Sequence, residues 1–217
     1  MNDTPYIQNG LAADAHRLYY SEPSIARKIP ATVRAGLGIL EHGTLLAKNT
    51  SAGTDGKLIP YNPTAVTGAE YAPGRAYLVA DSGTANKLLD VTLADSYKFA
   101  VGDDLMLNDS TTTGENLGAI TAIARGAYKA TITVTSNIGA TSFTTARFAH
   151  VYVEGGDAAV GILEKSVDTG TGVNAKGANT VLLLGNAVLY QDVVRPLDAA
   201  AKTDLSAVAI GRFINIP

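Results

Sequence analysis

The sequence predicts an all-β protein, and two observations support that prediction. The chain of 217 residues contains 22 glycines, abundant threonine and alanine, and no tryptophan, a composition typical of many short strands joined by tight turns. From residue 43 onward, short apolar or alternating segments recur between turn residues, which favours a small barrel or sandwich. A chain of this length can form one large all-β domain or two small ones, and either can bury a substantial core.

Residues 1–42, which precede these strands, are predicted to form an extended arm. Three prolines interrupt the segment: Pro5, Pro23 and Pro30. Each proline removes an amide donor and biases the preceding residue toward extended conformations, so a long helix is disfavoured. Four apolar residues indicate that part of the arm docks on another surface: Ile25, Ile29, Val33 and Leu37. The alternative is a disordered terminus.

Residues 67–154 are predicted to form a β-rich block of their own. Its first strand, AYLVA, ends at a turn that begins with Asp81. The next, KFAVGDDLMLND, crosses Gly102, where a tight turn or bulge is expected. The strands LGAITAIARG, YKATITVTSN and FAHVYVEGG follow. In the second of these, threonines alternate with Ile132 and Val134, as a half-buried antiparallel strand requires.

The remaining strand signals lie in residues 43–66 and 155–217. The first segment reads as a hairpin, with strands GTLLAKN and KLIPYNP around the turn residues SAGTDG. In the second, AAVGILEK and NTVLLLG are mostly apolar, which suits strands covered on both faces. Asp198 can cap a short helix, AAAKTDLSAVA, that follows Pro196. A closing strand, AVAIGRFINIP, is interrupted by Gly211.

Composition also narrows the classes of function. Charged residues make up 17% of the chain and the formal net charge is −3, so neither nucleic acid nor an anionic membrane is favoured as a partner. The absence of cysteine excludes disulfides and thiolate metal sites. No apolar run approaches the roughly 18 residues of a membrane-spanning helix, and the N-terminus MNDTPYIQNG lacks the pattern of a secretory signal. We expect a protein made in a cytoplasm, and the sequence predicts no cofactor.

The order of these elements resembles the head decoration (capsid cement) proteins of lambda-type tailed phages. The matching series is a strand pair, a small-residue AAVGIL strand, a strand ending in glycine, a strand closing with an acidic residue and proline (LYQDVVRP), a short helix and a terminal apolar strand. The series covers residues 43–66 and 155–217. Small members of that family run almost directly from the first part into the second. Residues 67–154 therefore read as a domain inserted at a surface turn, where a longer loop costs little entropy.

The resemblance implies a β-tulip-like decoration core, split by an inserted small β-barrel or sandwich and preceded by the extended arm. It also implies a homotrimer on the outer capsid surface of a virion, at local three-fold sites. There it would clamp neighbouring subunits of the major capsid protein against the pressure of packaged DNA. Such a protein would assemble in the host cytoplasm without direct contact to nucleic acid or membrane. The inserted domain would face outward, where it could touch neighbouring decoration trimers.

The resemblance further implies that the arm binds the capsid by adding a strand to an exposed edge of the coat protein. Main-chain hydrogen bonds would supply affinity and alternate side chains would supply register. A modest contact repeated three times per trimer multiplies avidity. Six residues are predicted to carry the contact: Ile25, Arg27, Lys28, Ile29, Val33 and Arg34. The basic ones could pair with an acidic coat surface, and a solvated arm is an equal alternative.

One enzyme signal is present at Asp81, in a D-S-G-T turn after an apolar strand. Dimeric aspartic proteases place such a carboxylate opposite a second one, with which it shares a proton. The apolar-Gly-Arg segment of those enzymes has a counterpart in Ile210-Gly211-Arg212, but at far too long a spacing, and no glycine-rich flap is evident. An ordinary turn, in which aspartate bonds its own backbone, is favoured.

Other candidate sites are weighed against turns and core positions. Three aspartates lack the ligand ladder of a calcium loop and are interpreted as solvated turn residues: Asp103, Asp104 and Asp109. The histidines have no metal-ligand spacing: His16, His42 and His150. A receptor- or glycan-binding module stays open as an alternative, with Tyr71 and Tyr77 as its candidate loop aromatics.

Overall fold

The computed structural model of the chain describes residues 18, 26–51, 57–63, 72–111, 114–139, 142–185, 188–207 and 213–214. In chain order its elements are β1 Arg27–Val33, β2 Ile39–Leu40, β3 Leu45–Lys48, β4 Leu58–Pro60, β5 Ala76–Tyr77, β6 Leu88–Thr92, α1 Leu93–Ser96, β7 Asp104–Asn108, β8 Glu115–Arg125, β9 Lys129–Val134, β10 His150–Val153, β11 Ala159–Leu163, β12 Val167–Asp168, β13 Ala178–Gly185, β14 Leu189–Tyr190, α2 Ala199–Ala207 and β15 Phe213–Ile214. Short 3-10 helices span Thr145–Arg147 and Gly172–Asn174. The described chain is mainly β, which confirms the predicted all-β class.

Five strands that are distant in sequence close into one barrel, in the order β1-β13-β11-β3-β4. The strands β3 and β4 form the predicted hairpin and pair antiparallel, with Leu46 opposite Pro60. On its other side β3 pairs with β11, which in turn pairs with β13. Residues 43–66 and 155–217 thus supply four of the five strands of a single barrel.

Apolar side chains cover the barrel strands on both faces. Each strand gives one residue to an inner cluster: Val33, Leu46, Leu58, Leu163 and Leu182. Because successive side chains of a strand point to opposite faces, the neighbouring residues Leu45, Ile162 and Leu183 point outward and join a larger core. Helix α2 lies against β11 and contributes Ala201 and Leu205 to that core. The mostly apolar sequences of β11 and β13 follow from this two-sided burial.

Residues 76–153 form a second sheet of six antiparallel strands, in the order β5-β10-β7-β8-β9-β6. The Val79 amide donates to the Asp90 carbonyl oxygen (2.9 Å), and Leu78 bridges to Val91. These two contacts bring the first and last strands together, so the sheet curls into a small barrel. All six strands lie inside the segment that was predicted to be an insert.

Local sequence signals are confirmed at three places. In β9, Ile132 and Val134 are buried while Thr131 and Thr133 are partly exposed. Gly102 has a φ of +95° in the turn that precedes β7. The Asp198 carboxylate accepts a hydrogen bond from the Ala201 amide (2.8 Å) and caps α2. None of the described helices is long and apolar enough to cross a membrane. Gly211 of the predicted closing strand lies outside the described residues.

The structure corrects the boundary predicted at residue 42. Strand β1 pairs antiparallel with β13 along its length, with Ile29 opposite Leu182, so it belongs to the barrel. The Arg34 amide donates to the Leu58 carbonyl oxygen (2.9 Å), so the backbone groups of Arg34 point toward β4. Because the direction alternates along a strand, the backbone groups of Pro30, four residues earlier, point to the same side. The missing amide of Pro30 therefore costs no hydrogen bond to β13. Apart from Leu18, the arm residues before 26 lie outside the described chain.

Candidate functional site

The candidate docking surface is the edge of β1 that faces β4, where the barrel closes through only one residue pair. The strand β4 pairs with this edge at a single point, Val33 opposite Leu58. No other described strand lies on that side of residues 28–32. Backbone groups along such an edge can pair with a strand from another chain. Because backbone groups alternate in direction, those of Lys28, Pro30 and Thr32 point to this side.

An edge groove of about 630 Å³ lies beside these residues. It is lined by Ile29, Pro30, Ala31, Thr32, Lys57, Leu58, Asn179, Thr180 and Leu182. The side chain of Ile29 is 38% exposed in it, whereas Leu58 and Leu182 also belong to the inner cluster of the barrel. The groove therefore continues the apolar interior of the barrel to the surface, and it can accept both a partner backbone and apolar side chains.

Three of the six predicted capsid-binding residues are exposed on β1. They are Arg27, Lys28 and Ile29. The ammonium group of Lys28 also pairs with the Glu164 carboxylate, which is positioned just after β11. A fourth predicted residue, Ile25, lies outside the described residues.

The remaining two predictions, Val33 and Arg34, are corrected by the structure. The side chain of Val33 is fully buried in the barrel, so it cannot set the register of an external contact while β1 stays in place. The Arg34 guanidinium donates to the Asp103 carboxylate across to the second sheet (2.6 Å), with the two side chains 14% and 5% exposed. The charge of Arg34 is therefore balanced inside the chain.

Asp81 has the hydrogen bonds of a turn carboxylate. Its Oδ1 accepts from the Thr145 amide (2.7 Å) and from the Thr145 hydroxyl (2.9 Å). These bonds, the backbone one first, lower the pKa of Asp81 below its usual value. Next to it, Ser82 exchanges hydrogen bonds with the backbone of Phe143. The D-S-G turn thus ties two loops of the second sheet together.

Two of the three aspartates that were interpreted as solvated turn residues, Asp103 and Asp109, are instead buried, with 4% and 3% of their surface exposed. Asp103 is paired with Arg34, and Asp109 accepts from the amide and hydroxyl of Thr111 (2.8 and 3.2 Å). In the part of the chain that the structure describes, no three His, Cys, Asp or Glu residues are grouped to hold a metal.

His150 lies in a buried polar network inside the second sheet. Its ring packs edge-on against Tyr77 (5.8 Å) and stacks on Tyr152 (6.0 Å). Burial, together with the nearby Arg75 cation, lowers the pKa of His150 to about 4, while Asp109 opposes the shift. Tyr77 also accepts a hydrogen bond from Arg75 (3.2 Å), so it is a member of this network and not a loop aromatic. The other predicted aromatic, Tyr71, lies outside the described residues.

Sequence reasoning passed over the most exposed aromatic among the described residues. Tyr128 is 92% exposed in the turn between β8 and β9. Tyr128 lies two residues after Gly126 and between two predicted strands, and this position could have indicated an exposed residue in a hairpin turn.

The site as a whole offers main-chain groups, an apolar groove and the exposed basic side chain of Arg27. These are the means by which a protein binds an extended peptide. Comparison of the chain with protein-family models, with curated proteins and with solved structures found no match.

Proposed function

We propose that the protein is a structural virion protein, a trimeric decoration protein that binds local three-fold sites of a tailed-phage head and stabilises it against internal DNA pressure. The observation that carries this proposal is the split barrel. Residues 43–66 and 155–217, whose order of elements resembles the decoration family, supply four strands of one barrel. The residues between them close into a sheet of their own, as an insertion that leaves a host fold intact must do.

We assign the coat contact to the edge groove. A coat segment in extended conformation would pair with β1 at Pro30 and Thr32 and place alternate side chains over Ile29 and Leu182. Pro30 offers a carbonyl oxygen and no amide on this edge, so only an amide of the partner can pair there. That asymmetry favours one register of the added strand.

Charge and repetition would add to this contact. Arg27 flanks the start of the edge and would favour an acidic coat segment, whereas the charge of Lys28 is already paired with Glu164. Each exposed ion pair contributes little, about 0–1 kcal/mol. Three such edges in a trimer convert a weak single contact into tight binding, because the second and third contacts form at high effective concentration.

The second sheet would extend the outer surface of the trimer as a fixed unit. Polar contacts join it to the barrel at separate points. The Asp104 amide donates to Ser51 Oγ (2.9 Å), and Arg75 Nε donates to Asn62 Oδ1 (2.8 Å). The Arg34–Asp103 ion pair adds a third point. These contacts support an insert that moves with the core and can meet neighbouring trimers.

Cosedimentation with heads that lack the protein tests the coat contact. The variant Ile29→Glu places a charge in the edge groove and is expected to weaken binding at least about tenfold, because the carboxylate must be desolvated against Leu58 and Leu182. Val79→Glu makes the same type of change at a 46% exposed site of the second sheet and serves as the control. Equal binding by both variants would contradict the assignment of the groove.

A second candidate function is favoured by Tyr128. An exposed aromatic at a hairpin tip can stack on a sugar ring or a host protein. If the sheet serves as a receptor-binding module, Tyr128→Ala should reduce particle adsorption to cells without changing the amount of protein on the heads. Unchanged adsorption would remove this candidate.

A further inference from the structure

A junction cleft of about 760 Å³ lies where the barrel meets the second sheet. Its charged lining residues are Arg34, Lys57, Asp103 and Arg125. Because Arg34 and Asp103 pair with each other, the guanidinium of Arg125 adds a positive charge that no described carboxylate of the cleft balances, in a chain whose formal net charge is −3. The cleft is an electropositive site on a mildly acidic protein, and its volume lies within the range of known ligand sites.

The side chain of Arg125 is fixed by hydrogen bonds and by packing on an aromatic ring. Its Nε and Nη2 donate to the hydroxyl and the carbonyl oxygen of Ser96, each at 3.0 Å. Its guanidinium carbon lies 4.7 Å from the centre of the Tyr97 ring. No described residue accepts a hydrogen bond from Nη1. Since the side chain is already fixed, binding through Nη1 costs little further conformational entropy.

The Arg34–Asp103 pair leaves a second donor unsatisfied. Asp103 Oδ2 accepts from Arg34 Nη2 and from the Ala100 amide (2.7 Å), and Oδ1 accepts from Asn49 Nδ2 (3.4 Å). Arg34 Nη1 is buried and has no hydrogen-bond partner among the described residues. A buried donor without an acceptor is costly. An anionic oxygen that enters the cleft could relieve this cost after a small movement of the side chain.

The shape of the cleft suits a main chain better than a bulky group. Part of its lining consists of small residues: Ala35, Gly36, Ala100 and Ala175. The fully exposed Val173 and the ring of Tyr97 add apolar surface. Small residues let a peptide backbone approach closely, while the arginines receive its acidic side chains.

We propose that the junction cleft binds an acidic peptide segment of a partner protein, with carboxylates of the segment hydrogen-bonded to Arg125 and Arg34. Charge complementarity and the small-residue lining carry the choice of partner. Arginine binds carboxylates through charge-assisted hydrogen bonds that are stronger than neutral ones. The junction cleft adjoins the edge groove, since Lys57 lines both, but the inference does not depend on the capsid role.

The test is fluorescence anisotropy on the full chain with a labelled peptide of alternating alanine and glutamate. Its glutamine counterpart is the peptide control. We expect the glutamate peptide to bind and the glutamine peptide to bind at least about tenfold more weakly. Arg125→Gln should weaken binding of the glutamate peptide to a similar extent. Arg147→Gln, which removes the same charge from an exposed site outside the cleft, should leave it unchanged.

Competition by free glucuronate separates a peptide site from a sugar-acid site. Binding of glucuronate without binding of the peptide would overturn the choice of a peptide. Equal binding of the two peptides, equal effects of Arg125→Gln and Arg147→Gln, or no peptide binding at millimolar concentration would overturn the site itself. If Arg125→Gln fails to fold, as judged by circular dichroism, Arg125→Lys replaces it. That variant keeps the charge but loses the two bonds to Ser96, and it should weaken binding by a smaller factor.

Discussion

Lowering the pH from 7 to 4 is expected to destabilise the protein through His150. The folded protein lowers the pKa of this residue from 6.5 to about 4, chiefly because the ring is buried and also because Arg75 lies close by. The unfolded chain binds the proton near the ordinary pKa, so between these two values the unfolded state holds more protons than the folded state. The stabilisation is complete above pH 6.5 and is lost progressively as the pH falls to 4.

The size of this effect follows from the pKa difference. One pKa unit corresponds to about 1.4 kcal/mol, so the free energy of unfolding should fall by about 3 kcal/mol across the window. A loss of that size is a large fraction of the stability of a typical domain, about 5–15 kcal/mol. It should appear as a clear decrease in the midpoint of urea unfolding.

Urea unfolding of the wild type and of His150→Asn at several pH values between 7 and 4 measures the effect. Asparagine cannot titrate in this range, so the variant should be less stable at pH 7 and should change less as the pH falls. Hydrogen bonds lower the pKa values of three aspartates, Asp81, Asp90 and Asp168. Their contributions to the pH dependence of the free energy of unfolding are therefore concentrated below pH 4, and they are the same in both proteins. Parallel pH dependence of the two proteins would refute this account of His150.

Further predictions concern the contacts between the barrel and the second sheet, measured by urea unfolding at pH 7. Arg34→Leu or Asp103→Leu alone should lower the free energy of unfolding by about 3–5 kcal/mol, because each leaves a buried charge unpaired. The double variant should lose less than the sum of the two, and additive losses would contradict a direct pairing. Gly36→Ala should cost about 1–3 kcal/mol, because φ is +89° and the new Cβ would lie 2.6 Å from the Tyr97 carbonyl oxygen. Gly83→Ala, with no atom within 4 Å, is the matched control, and an equal cost there would count against a steric cause.

Local patterns in the sequence predicted much of the fold. The alternation around Ile132 located β9 and its buried face, Gly102 marked a turn, and Asp198 marked the start of α2. Each of these signals acts over a few residues, so neighbouring residues in the sequence are sufficient to reveal it.

The contacts that position the candidate site depend on residues far apart in the chain. Arg34 and Asp103 are separated by 69 positions, and no local pattern pairs them. Pro30 and the two prolines before it disfavoured a long helix and so predicted an extended arm. In the structure Pro30 lies on the edge of β1 that faces β4, where its missing amide costs nothing. Arg125 likewise gave no signal, because its role depends on Ser96 and on the meeting of two separate sheets.

Imaging of heads saturated with the protein tests the central claim most directly. Electron cryomicroscopy of heads with and without the added protein gives a difference map at each symmetry position. We predict three copies around each local three-fold site, with β1 of every copy against an extended coat segment. Absence of difference density at saturating concentration, or density confined to five-fold sites, would contradict the proposal.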